Sequence, residues 1–347
     1  MTKARKKRVL VLAHEEFVPP DTIEGLSDEE VHPFKMEYDI VRALEVLGHE
    51  VQVLGVQDEL RPIREAIDRF EPHIAFNCLR YFHDIGGYDA HVVSYLELLK
   101  VAYTGSNPRG LLLANDKALS KKILNYHRIR TPGFAVFQMG DPKRKLPSRL
   151  RFPMIVKTLA EHASVGISQA SVVEDEAALR ARVAYVHETI GRDAIAEEYV
   201  EGRELTIGVL GNRRLSTFPV FELQFDRLPS GARPIATERV KTDFDYQERV
   251  GVRTGPAEEL TDAQRQAISR TAKRIYRALD LSGFARIDLR LEESTGDVYV
   301  LEANPNPDLS YGEDFAESSE KTGLKYEKLI AKILGLGLAY RPAWKQS

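Results

Sequence analysis

Cysteine, tryptophan and long apolar stretches are nearly missing from this chain. One cysteine, Cys78, stands among 347 residues, so no internal disulfide can form and a cytoplasmic setting is expected. Cys78 follows an apolar run and reads as a small core residue rather than a nucleophile. No window reaches the roughly 18 apolar residues of a membrane span. Charge of one sign is lacking too. The 49 basic and 52 acidic side chains leave a formal net charge of −3, which provides no global field for nucleic acid or an anionic membrane. The basic start, Lys3 to Arg8, precedes only the short apolar run Val9–Ala13. That run is too short for a secretion signal and reads as a first strand. No Gly-x-Gly-x-x-Gly follows it, so dinucleotide binding has no support.

What is present suits a globular protein of two or three packed units. In the first hundred residues short apolar strands alternate with helical patterns: strands at Val9–Ala13, Val51–Val56, Ile74–Asn77 and Val101–Thr104, with helices between them. Such alternation predicts an α/β unit with a mostly parallel sheet. Ligands sit beyond the carboxyl ends of such strands, which singles out the loops His14–Pro33 and Leu79–Asp89. After a helix bearing Lys117, Lys121 and Lys122 the pattern becomes α+β. Strands are expected at Phe152–Thr158, Gly166–Val173, Ala194–Val200 and Glu204–Leu210. Helices are expected at Glu176–Ile190 and Thr261–Leu279, the second capped by Thr261 with Gln264 three residues on.

The segment Arg286–Asn304 carries the chemistry. Phe284 to Leu291 alternates strictly, so Arg286, Asp288 and Arg290 share one face. Ser294-Thr295-Gly296 forms a hairpin loop with glycine at its left-handed position. Folding the chain about Thr295 places Asp288 opposite Glu302 and Arg286 opposite Asn304. Like charges directly opposed on a sheet are destabilising, so two facing carboxylates beside an amide oxygen require a cation. An all-oxygen set suits Mg²⁺ or Mn²⁺, completed by water and substrate phosphates. A solvated hairpin face would account for any one of these residues but not for all of them on one face without an apolar neighbour.

Gly283-Phe-Ala-Arg-Ile-Asp and Leu301-Glu-Ala-Asn-Pro-Asn-Pro resemble motifs of the ATP-grasp ligases, in the D-alanine–D-alanine ligase branch. The resemblance implies that Asp288, Glu302 and Asn304 bind Mg²⁺ and that Arg286 stabilises the transferred phosphate. It extends upstream in order. Asn115-Asp-Lys resembles the segment whose lysine, here Lys117, contacts ATP phosphate, and Phe152-Pro-Met-Ile-Val-Lys the strand that supplies a second, Lys157. Glu161-His-Ala-Ser-Val-Gly resembles the loop that closes over the phosphates, with Ser164 as its hydroxyl. Glu197-Glu-Tyr-Val-Glu-Gly-Arg-Glu resembles the adenosine hinge, which implies Glu197 and the Val200 backbone at adenine and Glu204 at the ribose. Lys241 lies where a further phosphate lysine is expected.

The chain also departs from the family's pattern. No glutamate of the first loop aligns with the usual substrate-binding one, leaving Glu30 and Glu37 as candidates. Tyr88 stands where glutamate is common, Thr242 where a tyrosine is frequent, and Asp308 where a glycine supplies an N–H. The resemblance implies an ATP-grasp fold: a Rossmann-like unit over 1–113, a lid over 114–202 and a metal-bearing unit over 203–340. It implies an ATP-dependent carboxylate–amine ligase acting through an acylphosphate on amino-acid or peptide-like substrates, with a homodimer as the family's frequent assembly. The alternatives are a ligase with another substrate pair, such as a peptide-tailing enzyme, and a nucleotide-binding regulatory protein without turnover.

Overall fold

The computed structural model describes residues 5–141, 145–160 and 164–345. Three sheets organise the chain. The first contains β1 (Arg8–His14), β2 (Glu50–Val56) and β3 (Ile74–Asn77) in the order β2-β1-β3, all parallel. The apolar run at Val9–Ala13 is fully buried, which explains why it lacks the alternation of a half-exposed strand. Expected strand Val101–Thr104 is reduced to one bridge, between Ala75 and Tyr103. Thr104 turns its hydroxyl inward to accept the Asn77 N–H at 3.0 Å, and the chain then leaves the sheet.

The second sheet contains β4 (Phe134–Phe137), β5 (Met154–Thr158), β6 (Val172–Val173) and β7 (Ala194–Glu198), antiparallel in the order β4-β7-β5-β6. Only Val172–Val173 of the predicted strand Gly166–Val173 pairs, because Ser164 and Gly166 are left-handed and a 3-10 turn occupies Gln169–Ser171. The predicted helix Glu176–Ile190 is α-helical to Tyr185 and ends in a π turn, Val186–Ile190.

The third sheet runs β11-β10-β8-β12-β13, with β9 beside β8. Its strands are β8 (Arg203–Leu210), β9 (Ser216–Thr217), β10 (Phe221–Phe225), β11 (Val252–Pro256), β12 (Phe284–Leu291) and β13 (Val298–Pro305). Helix Asp262–Ala278 lays Ile268, Ala272 and Ile275 on this sheet, and Thr261 and Gln264 form the predicted capping box. The helix Tyr326–Ala339 returns to the first sheet, where Leu329, Ile330 and Ile333 pack with Val9, Val11 and Phe76. Position 113 falls within the helix Pro108–Asn115. Among the described residues no helix is long and apolar enough to cross a membrane.

Candidate active site

A cleft of about 800 Å³ opens between the second and third sheets. Lys117, Lys157, Ser164, Glu197, Val200, Glu204, Lys241, Asp288 and Glu302 all line it, and Arg286 and Asn304 stand beside Asp288 on the hairpin. Of the predicted phosphate loop, Ser164 reaches the cleft, while Glu161, His162 and Ala163 lie outside the described residues.

The β12–β13 hairpin pairs Arg286 with Asn304 and Asp288 with Glu302, as expected. Its tip differs from the expectation by one residue. Leu291 pairs with Val298, and an extra residue, Leu301, bulges out between Val300 and Glu302. The bulge restores the register at the site, and such insertions commonly re-aim side chains beside active sites. Arg286 grips both oxygens of Asp288, Nε to Oδ1 at 2.7 Å and Nη2 to Oδ2 at 2.9 Å. The Asn304 amide nitrogen donates to Asp288 Oδ2 at 2.8 Å and to Glu302 at 3.5 Å.

This donor set fits a hard divalent cation. A carboxylate offers about four lone-pair directions, and Arg286 and Asn304 occupy three on Asp288, leaving one on Oδ1. Glu302 keeps its carboxylate toward the cleft with the Lys117 ammonium 3.6 Å away. With its amide turned over, Asn304 would present an oxygen. No three His, Cys, Asp or Glu side chains gather into a metal cage among the described residues. Two carboxylates and an amide instead leave the remaining ligands to water and phosphate, the usual arrangement for Mg²⁺.

Deeper in the cleft, Glu197 is fully buried between two lysines, 3.3 Å from Lys157 and 3.3 Å from Lys121. Burial alone would raise its pKa, but the two ammonium groups outweigh that and hold it below the ordinary carboxylate range. Lys157 is shifted upward, since Glu197 and Glu302 overcome the effect of its own burial. Glu204, expected at a ribose, is 2.8 Å from Arg290. Burial outweighs that cation and raises the Glu204 pKa. Ile155, Val165, Ile167, Ile235, Ala236 and Leu301 provide apolar walls, the lining a flat base requires.

Two contributors were not assigned from sequence. Lys121, only 2% exposed, donates to the carbonyl of the bulged Leu301 at 2.7 Å and so ties its helix and Glu197 to the β12–β13 hairpin. Its spacing of four from Lys117 puts both on one helix face, which was the available signal. Arg290 donates to the Val200 and Pro234 carbonyls, Glu204 and the Tyr199 hydroxyl. Its long-range partners left no trace in sequence spacing.

The departures also have places. Glu30 is an exposed helix cap, its carboxylate accepting from the Ser27 N–H at 2.8 Å. Glu37 is completely buried with Arg80 at 3.6 Å. Asp308 accepts from the N–H and hydroxyl of Ser310 at 2.7 and 2.6 Å, closing a turn. Thr242 donates to the Glu238 carbonyl within its own short helix, and Tyr88 is partly exposed beside His83 and His91.

The family model described as "D-ala D-ala ligase C-terminus" matches residues 122–335. A D-alanine–D-alanine ligase of Carboxydothermus hydrogenoformans is 28% identical over 327 residues, covering 91% of this chain and 97% of that protein. One from Desulforudis audaxviator is 30% identical over 315 residues, covering 90% and 95%. The crystal structure of the Bacillus anthracis D-alanine–D-alanine ligase complexed with ATP superposes with a TM-score of 0.73, covering 97% of this chain and 98% of that one, at 22% identity.

Proposed function

Because this chain belongs to the D-alanine–D-alanine ligase family of ATP-dependent carbon–nitrogen ligases and has the ATP-grasp fold, we propose that its cleft holds ATP with the base among the apolar walls and the phosphates toward Asp288 and Glu302. The observation that carries this reading is the facing pair Asp288 and Glu302, with Lys117 3.6 Å from Glu302 at the same end of the cleft. Mg²⁺ held by Asp288, Glu302 and Asn304 would supply charge neutralisation on the β- and γ-phosphates. Lys117, Lys157 and Lys241 bind the phosphate chain, and Ser164 contributes a hydroxyl from the loop above. Glu197 keeps Lys157 charged, and the Val200 N–H faces the base. Glu204, oriented by Arg290, takes the ribose. One substrate's carboxylate accepts the γ-phosphoryl group as ADP leaves. An amine then attacks the acylphosphate and displaces phosphate. Arg286, fixed by Asp288, is the guanidinium placed to stabilise the charge that develops.

We further propose small amino acids as substrates, with D-alanine the first pair to try, in a cytoplasmic enzyme. The divisions at 113/114 and 202/203 belong to the same reading. A non-catalytic regulatory role gains no support from relatives named as ligases. Phosphate release from ATP and Mg²⁺ over a panel of amino-acid pairs tests the assignment. Asp288→Ala and Glu302→Ala should each lower turnover by on the order of 10²–10³-fold. Full activity in either variant overturns the metal assignment.

A further inference from the structure

The loops at the carboxyl ends of β1 and β3 meet at Arg80. Its guanidinium carbon lies 5.1 Å from the centre of the Phe17 ring, and Phe17 is itself packed against Tyr81 and His14. On another side stands Glu37, 3.6 Å away. Glu37 has no exposed surface and projects from a helix whose other buried side chains are Met36, Ile40, Ala43 and Leu44. Neither of its carboxylate oxygens makes a hydrogen bond.

A buried carboxylate is costly unless it is paired with good geometry. Arg203 and Glu222, a pair shut away in the third sheet, close the fork at 2.7 and 2.5 Å. The Arg80–Glu37 pair stays open. Arg80 is 39% exposed at its side chain, and none of its N–H donors makes a hydrogen bond among the described residues. It is a guanidinium steadied by a ring and a buried carboxyl group, with its donor fork unused. Such a fork matches carboxylate geometry. It stands close to the segment that follows β13. Asn77, Cys78 and Leu79, which lead into Arg80, share a small cavity with Asn306, Pro307 and Leu309, which continue β13 beyond Asn304. Asp308, the acid on that segment, is engaged by Ser310.

We propose that Arg80 anchors a carboxylate of one substrate, distinct from the carboxylate that is activated, with Glu37 and Phe17 as its positioning residues. The substrate class is then an amino acid or a dicarboxylate that keeps one free carboxylate, rather than a simple amine or monoacid. This rests on the ligase reading above. The test is calorimetric binding to the full chain, with and without Mg²⁺ and a non-hydrolysable ATP analogue. The probes are D-alanine, L-alanine, D-glutamate and succinate, each beside the amide of its carboxylate. At least one acid should bind tenfold or more tightly than its amide. Arg80→Gln should bring that ratio to about one, and Arg80→Lys, which keeps the charge but not the fork, should give an intermediate ratio. Affinity for the ATP analogue reports intact folding and should stay within twofold. If no acid outbinds its amide, or if Arg80→Gln keeps the ratio, the proposal falls. Turnover that persists with an Arg80-independent ratio defeats this proposal alone. An Arg80-dependent ratio without any turnover upholds the anion site and defeats the ligase reading.

Discussion

Glu37 shows what one buried side chain does to the whole chain's response to pH. Burial pushes its carboxyl up to about 7, against the pull of Arg80, whereas an unfolded chain releases that proton near 4.5. Between those values the folded protein holds a proton that the unfolded chain has lost, so stability falls as pH rises through the window. The full effect is about 3 kcal/mol. Glu37→Gln removes the titration. Its melting temperature should therefore match wild type near pH 5 and exceed it by a few degrees at pH 8. Equal melting at both pH values would contradict the assignment. The pairing of Asp288 with Glu302 and of Arg286 with Asn304 was legible because strict alternation over Phe284–Leu291 fixes which side chains share a face. The burial of Glu37 was not legible. It lies on the flank of a helical stripe formed by Met36, Ile40 and Leu44, and what covers that flank, Arg80 among it, comes from elsewhere in the chain.

At the scale of elements, the hairpin shows both what local sequence specifies and what it omits. Gly296, with φ +73°, ends the loop in the left-handed conformation read from its position. The carbonyl of the bulged Leu301 accepts from the Lys121 ammonium, which reaches across from the helix Lys117–Tyr126, a contact without local signature. The shortened strands have the same origin, since Val101–Thr104 and Gly166–Val173 have strand-like composition but lack a continuous partner. Gly202 separates β7 from β8, and its requirement is spatial. At φ +137°, a Cβ there would lie 1.9 Å from the Leu291 carbonyl oxygen. At Gly296 an added Cβ meets nothing within 4 Å. Gly296→Ala should thus cost only about 1 kcal/mol, the ordinary price of a left-handed alanine. Gly202→Ala must move backbone and should cost more than 3 kcal/mol. Urea unfolding of the two variants decides this, and equal losses would contradict the packing described for Gly202.

Across the whole molecule, the cleft walls come from two separate sheets, so a ligand that fills it joins them. Saturation with an ATP analogue at a hundredfold excess over its Kd should stabilise the fold by about 2.7 kcal/mol. A thermal melt without any shift would mean that the folded chain does not bind the nucleotide. Strand–helix alternation made the first sheet legible, while the third was legible only at its β12–β13 hairpin, because β12 also pairs with β8, far back in the sequence. The helix Tyr326–Ala339 was equally hidden, for its apolar face belongs to the first sheet. That arrangement bears on how the protein is made. On a chain still being synthesised, β1 and β3 emerge early with Val9, Val11 and Phe76 facing water. The helix bearing Met36, Ile40 and Leu44 can cover them only in part until Leu329, Ile330 and Ile333 have left the ribosome. The opening segment is thus sticky throughout translation and becomes settled among the last.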